Sequence, residues 1–323
     1  MKAIVNTAPG KLEWRELPLP KPRAGEVRIR AGACGVCATD LAMIAGWERT
    51  GFPSIPGHEW SGTVDAAGRG VSRSLVGRRC VGENVLSEGG EVGFERPGGY
   101  AECFLTEAAR LEFLPEDFPF ATAALIEPLA VCVRGARRLR IKDASSALVF
   151  GDGPIGLLML MLLRREGVRS VTLVGGRIER LRLARGLGAA RTVNYHAARD
   201  LSKALRRPGR FGFPNVVEAS GSAASMEAAM HAAAPGGKVL VLGDYGAAHA
   251  AFLWNHLLWR EIELIASNAS AGAWCEAARL AREGTLPLAR LVTHRFPAAR
   301  FAEAIDLLRA RACGVVKIVL DWQ

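Results

Sequence analysis

The fold class predicted by the sequence is α/β, in two domains: a mainly antiparallel β domain, and a doubly wound domain around a parallel sheet. Three observations predict it. The chain has 323 residues, which is more than one compact domain usually takes and enough for two with sizeable cores. Up to about residue 120 it carries short β-rich runs, such as 26–31 and 62–67, broken by Gly and Pro at close intervals. From Ala144 onward the texture changes to strand-like runs alternating with helix-length segments, the pattern of a parallel sheet.

The elements of the second region follow in order. ALVF at 147–150 precedes a glycine turn and a helix-length apolar segment, and SVTLVG at 170–175 precedes another helix. NVVEAS at 215–220, a further helix, KVLVLG at 238–243 and IELIAS at 262–267 complete the alternation. The tail has a strand-like LVTHRF at 291–296, an amphipathic helix over about 298–311 and a final strand VVKIVL at 315–320.

Composition bounds the function. Half the residues are hydrophobic and 23% are charged, as expected for a globular protein. The N-terminal stretch lacks the apolar core of a signal peptide, and the longest apolar run, 157–163, is too short to cross a bilayer, so a soluble cytoplasmic protein is expected, with no membrane partner. Seven cysteines, at 34, 37, 80, 103, 132, 275 and 313, are scattered through a long chain, which favours reduced thiols over a disulfide framework. The net charge of +10 comes from 35 Arg against 7 Lys, spread along the chain. No basic run alternates with aromatics, so nucleic acid is not expected as a partner, and the Arg-rich stretch 134–140 reads as a solvated helix face.

Gly151-Asp152-Gly153-Pro154-Ile155-Gly156 matches G-x-G-x-x-G between a predicted strand and a predicted helix. In that context it is a dinucleotide-binding signal: Gly151 permits the tight turn, Gly153 lets backbone approach a pyrophosphate, and Gly156 lets the helix pack on the sheet. The helix N-terminus adds N–H donors and a positive dipole end. A strand serving NAD should end in an acidic residue that holds the ribose hydroxyls, but 170–174 is followed by Gly175-Gly176-Arg177. The missing carboxylate removes repulsion against a 2′-phosphate and Arg177 supplies a fork for it, so NADP(H) is preferred over NAD(H). By the same reasoning a carboxylate introduced at Gly175 should shift the preference toward NAD.

In the first domain Cys34-Gly-Val-Cys37-Ala-Thr39-Asp40 precedes Gly57-His58-Glu59 by about twenty residues. A thiolate, an imidazole and a carboxylate are the ligand types of an open zinc site. Cys34-x-x-Cys37 alone could be half a structural zinc site or a redox pair, but no second C-x-x-C exists and no thioredoxin-like context surrounds it.

These residues, together with Glu127-Pro128-Leu129, resemble the zinc-containing medium-chain dehydrogenase/reductase family, especially its sorbitol and threonine dehydrogenase branch, and the similarity runs nearly end to end. The resemblance implies a GroES-like catalytic domain over 1–122 and 288–323 and a Rossmann domain over 123–287. It implies Cys37, His58, Glu59 and Glu127 as zinc ligands, with Glu127 either joining the metal or exchanging with its water. Thr39 would hydrogen-bond the substrate oxygen and pass its proton outward, and Asp40 would orient His58. It further implies that Gly175, Gly176, Arg177 and Tyr195 form a 2′-phosphate pocket like that of NADP-dependent secondary alcohol dehydrogenases. Lys317 would contact the pyrophosphate, while Gly243, Ser267 and Asn268 would lie beside the nicotinamide. Trp47 and residues 86–96 would shape the pocket for a small alcohol or ketone substrate, and the strand around 261–266, after the Trp-bearing segment 252–259, would mediate a homodimer or homotetramer.

Two departures qualify the resemblance. The stretch from Cys80 to Cys103 holds only those two cysteines, too few for the family's structural-zinc lobe, so one zinc per chain is expected. Position 42, often a relay His, is Ala, which leaves proton exit to water or another group. Two rival readings are a zinc-free quinone or enone reductase of the same fold, and a cofactor-binding protein that no longer catalyses. The first fails to explain Cys37, His58 and Glu59 together; intact ligands and Thr39 argue against the second.

Overall fold

A computed structural model describes every residue except Arg207, Pro208, Arg210, Cys313 and Gln323, and divides the chain into two units, Met1–Ala130 with Ala271–Gln323, and Val131–Ser270. The first unit opens with the antiparallel pair β1 (Lys2–Ala8) and β2 (Lys11–Glu16). There follow β3 (Glu26–Val36), α1 (Ala38–Ala45), β4 (Glu59–Ala67), β5 (Arg79–Gly82), β6 (Cys103–Glu107), β7 (Leu111–Phe113) and the short α2 (Phe120–Ala123). Helix α3 (Ile126–Leu139) contains the first division of the chain. On it Arg137 and Arg138 are exposed, while Arg134 is half-buried.

The second unit alternates strand and helix: β8 (Ser146–Phe150), α4 (Pro154–Arg165), β9 (Ser170–Gly175), α5 (Ile178–Gly186) and β10 (Arg191–Asn194). It continues with α6 (Leu201–Ala204), β11 (Phe213–Glu218), α7 (Ala223–Ala232), β12 (Ala233–Val241), α8 (Trp254–Trp259) and β13 (Glu263–Ala266). Every pairing in this sheet is parallel, in the order β10-β9-β8-β11-β12-β13, which is the doubly wound order whose switch point lies between β8 and β11. Strand β10 has no sequence counterpart above. It is four residues long with only Val193 buried, so it carries no hydrophobic run to betray it.

The chain then returns to the first unit through α9 (Trp274–Arg282), β14 (Val292–Pro297), α10 (Phe301–Arg309) and β15 (Lys317–Asp321). The seven-stranded sheet runs β14-β15-β3-β4-β5-β7, with β6 also on β3, and is antiparallel except for β14 with β15. The divisions fall after Ala130 and Ser270, not at 122/123 and 287/288. Residues 271–287 belong with the first unit because α9 is tied there: Arg282 donates to the Phe113 carbonyl at 2.9 Å.

Each unit has its own core. In the first, Ile4, Val27, Ile29, Trp60, Phe104 and Ile318 pack together; in the second, Leu148, Phe150, Phe213, Val216 and Val239 do. Helix α4 is buried continuously from Gly156 to Leu163, which is why its sequence reads as a plain apolar run: it is buried all round and needs no polar face.

Candidate active site

The first unit gathers three metal-ligand types at the junction of β3, α1 and β4. Strand β3 ends at Val36 and Cys37 is the N-cap of α1, its backbone N–H donating to Asp40 Oδ2 at 2.8 Å, so a capping bond fixes the turn that carries the sulfur. Gly57 holds the chain at φ 102° just before His58, where a Cβ would come within 2.6 Å of the Tyr100 ring; only glycine fits there. Glu59 opens β4 opposite Gly35. The result is one ligand atom each from Cys37, His58 and Glu59, all within 4.8 Å of one another.

Buried charge holds these donors. Asp40 is fully buried; its Oδ1 lies 3.3 Å from His58 Nδ1 and its Oδ2 also accepts from Tyr100 Oη at 3.1 Å. That leaves the other ring nitrogen of His58 for a metal. Burial works against an imidazolium here, but the Asp40 charge outweighs it, with help from Cys37, and raises His58 well above its usual value. One thiolate, one imidazole and one carboxylate gathered this closely fit a zinc ion.

Lys317 is held against Glu59. Its ammonium is 3% exposed and donates to both carboxylate oxygens of Glu59, at 2.6 and 2.7 Å, and more weakly to the Val36 carbonyl at 3.5 Å. In this structure it is the counter-ion of a candidate zinc ligand. The cause is register: β15 pairs with β3 and β3 with β4, which brings the first residue of β15 onto the first residue of β4. Burial opposes its charge, yet Glu59 and then Cys37 keep its pKa raised.

Glu127, in the first turn of α3, lies beside the three-donor cluster, not within it. Burial pushes its carboxyl up to about 7, with His58 and Lys317 pulling down and Glu59 pushing up. Thr39 Oγ1 is 3.6 Å from Cys37 Sγ, and Ala42 is exposed. Cys34 stays outside the cluster: it is fully buried, its thiol pushed well up by that burial, and Cys37, Cys80, Cys103 and Cys275 are free thiols as it is, Cys313 lying outside the described residues. Cys80 and Cys103 occupy separate strands, β5 and β6, and burial pushes the Cys80 thiol up to about 12.

Phe94 connects Trp47 to the metal donors. Its ring packs 4.9 Å from that of His58, Trp47 meets it edge-on at 6.3 Å, and the Arg49 guanidinium covers it at 4.4 Å. Arg49 is itself held by Glu91 and Glu95, both at 2.6 Å. Neither Phe94 nor Tyr100 stands out in the sequence, where each is one aromatic in a glycine-rich loop; what marks them is a ring against His58 and a buried hydroxyl that needs an acceptor.

In the second unit Gly151 has φ 116° and would clash with Ala219 if it carried a Cβ, while a Cβ on Gly156 would strike the Gly151 carbonyl oxygen. A Cβ on Gly153 would meet nothing closer than 4.0 Å, so the backbone is open to a ligand where the motif requires it. Pro154 starts α4 at its first position and Ile155 follows in the first turn. At the end of β9, Gly175, Gly176, Arg177 and Tyr195 come together: a Cβ on Gly176 would lie 2.6 Å from Tyr195 Oη, and Tyr195 donates its N–H to the Gly175 carbonyl at 3.1 Å. Gly175, however, has no room for a carboxylate. A Cβ there would sit 2.5 Å from Asp152 Cβ, so the substitution expected to favour NAD would collide with the glycine turn. Gly243 lies just past β12 and its N–H donates to the Glu218 carbonyl at 3.1 Å; Ser267, just past β13, donates to the Val241 carbonyl at 3.1 Å, and Asn268 is exposed beyond it.

Comparison with known proteins agrees with both halves. Residues 23–116 match the alcohol dehydrogenase GroES-like domain and residues 154–283 match the zinc-binding dehydrogenase family. L-threonine 3-dehydrogenase of Anaeromyxobacter sp. strain Fw109-5 is 30% identical, with 100% of this chain and 99% of that protein covered. D-arabinitol dehydrogenase 1 of Uromyces fabae is 30% identical over 97% of this chain and 95% of its own length. Among solved structures, a zinc-binding dehydrogenase of Sinorhizobium meliloti 1021 bound to NADP superposes with a TM-score of 0.92 at 28% identity, covering 99% of this chain and 98% of its own.

Proposed function

The chain belongs to the medium-chain dehydrogenase/reductase superfamily of alcohol dehydrogenases, and from that premise we propose a zinc-dependent enzyme that moves a hydride between NADP(H) and a secondary alcohol, polyol or sugar derivative and its ketone. As an NAD(P)-dependent alcohol or polyol dehydrogenase it agrees with relatives that act on threonine and arabinitol. The observation that carries the zinc reading is the cluster of Cys37, His58 and Glu59 with Asp40 and Tyr100 behind His58. A zinc-free reductase has no use for such a cluster, and a binding protein without catalysis has no use for its buried support.

Cys37, His58 and Glu59 would hold the zinc, and Glu127, whose charge is felt by His58 and Glu59, would either join the metal or exchange with its water. When bound, zinc supplies Lewis acidity to a substrate oxygen and the nicotinamide supplies or takes the hydride. The chain's own residues do the rest. Asp40 fixes the His58 ring, Lys317 holds Glu59, and the Phe94 and Trp47 rings give the donors an apolar neighbour. Thr39, beside Cys37, would take a proton from a substrate hydroxyl, and with Ala42 next along the helix face water would carry it onward.

For the cofactor, the absence of an acidic residue at the end of β9 and the presence of Arg177 and Tyr195 support NADP(H) over NAD(H). A panel of alcohols, polyols and their ketones assayed with both cofactors tests this reading: turnover of a secondary alcohol or polyol with higher kcat/KM for NADP(H) is expected, and no turnover of any such pair would defeat it.

No helix among the described residues is long and apolar enough to cross a membrane, and the free cysteines support a cytoplasmic setting. Strand β13 is an edge of its sheet and three of its four residues are exposed. In the segment that precedes it in the chain, Trp254 and Trp259 are 71% and 73% exposed, with Leu253 and Leu258 similarly open. Such an edge supports assembly into a homodimer or homotetramer. A monomer mass in light scattering at micromolar concentration would contradict it.

A further inference from the structure

Asp152, the variable residue between the first two glycines of the turn, does not point into solvent. It is buried, and its Oδ2 accepts two backbone N–H groups from across the loop, those of Gly176 and Arg177, each at 2.9 Å. These two N–H groups lie just ahead of the first turn of α5, whose N-cap is Arg177 and which has no side-chain capping bond. The glycine turn therefore anchors the stretch that leads into α5. The other oxygen, Oδ1, lies 3.4 Å from Arg180 Nη1 and 3.5 Å from Arg177 Nη1. Gly175 has to be glycine for the same reason, since the Asp152 side chain fills the space where a Cβ would stand.

This arrangement decides between two roles for a carboxylate in this corner. One that serves NAD must offer free lone pairs to ribose hydroxyls. Here both oxygens are engaged, one by two backbone donors and the other by two guanidiniums. Those two arginines against one aspartate leave an excess of one positive charge among the three side chains, and Arg177 remains 28% exposed while Arg180 is more deeply set. We propose that Asp152 is a positioning residue for the 2′-phosphate: it ties the glycine turn to the start of α5 and draws Arg177 and Arg180 into one fork, making Arg180 a second phosphate-binding residue. The inference rests on the NADP(H) reading above and adds Asp152 and Arg180 to it. A fork already aligned by an internal carboxylate loses less freedom on binding a phosphate than two loose arginines would.

The test compares 2′,5′-ADP with 5′-AMP, which differ only in the 2′-phosphate, by isothermal titration calorimetry on the full chain. Wild type should bind 2′,5′-ADP at least about tenfold more tightly. Asp152→Ala and Arg180→Ala should each cut that preference several-fold, mainly by weakening 2′,5′-ADP. Asp152→Asn keeps an acceptor for the two N–H groups without the charge, so its preference should fall between wild type and Asp152→Ala. If Asp152→Ala fails to fold by circular dichroism, Asp152→Asn and Arg180→Ala carry the test. An unchanged ratio, including equal loss of both ligands, would mean that Asp152 is only a structural anchor. A raised ratio would mean that it repels the phosphate; either result overturns the inference and leaves the NADP(H) reading intact. A wild type without preference would defeat that reading, and the inference with it.

Discussion

The metal-donor cluster and the corner proposed to select the cofactor use charge in opposite ways. In the first unit Asp40, Glu59 and Lys317 are all buried, and each charge is held by another buried group. In the second, Arg177 and Tyr195 keep much of their surface in solvent around a single buried carboxylate. The difference teaches where substitutions should hurt. Removing one partner of a buried ion pair strands the other, whereas removing a half-exposed arginine costs only what its ligand contributes.

The largest effect is expected at Lys317. Replacing it by Met leaves the Glu59 carboxylate buried without its counter-ion, and the chelator-treated protein should lose about 3–5 kcal/mol of stability in denaturant unfolding. Were Lys317 a pyrophosphate contact, stability would hold and cofactor affinity would fall instead. That outcome would erase the contrast between the two regions, because both would then bind ligand with solvent-facing cations.

A smaller and more selective effect is expected at Arg177. Arg177→Ala should lower kcat/KM with NADP(H) about tenfold or more while changing that with NAD(H) little, since about 1.5–3 kcal/mol of charged hydrogen bonding is lost for one cofactor only. Equal use of both cofactors by wild type, or an unchanged ratio in the variant, would leave Arg177 as surface charge. Gly175→Asp should not restore NAD use; the collision with Asp152 should destabilise the unit by about 1–3 kcal/mol.

The same contrast explains what could be read from the sequence. Cys37, Thr39, Asp40, His58 and Glu59 lie in two short segments, and the glycine turn is contiguous, so residue types and spacing expose them. The alternation of strands and helices likewise exposes the doubly wound sheet, except β10, too short and too exposed to leave a pattern. Partners set by pairing across the sheet are not legible this way. Lys317 reaches Glu59 across 258 positions through two strand pairings, and Tyr100 reaches Asp40 across 60. Asp152 is hidden for another reason: its position in the glycine motif accepts any residue, and only the folded turn shows that its side chain occupies the space Gly175 vacates.

The central claim is that this enzyme works with one zinc held by Cys37, His58 and Glu59. The most direct measurement is elemental analysis of purified wild type and Cys37→Ser, with circular dichroism to check the fold and the alcohol panel to read turnover. One zinc per chain is expected in wild type, and most of the metal and turnover should be lost in a variant that remains folded. Two zincs per chain, or a variant that keeps both its zinc and its full rate, would contradict the account.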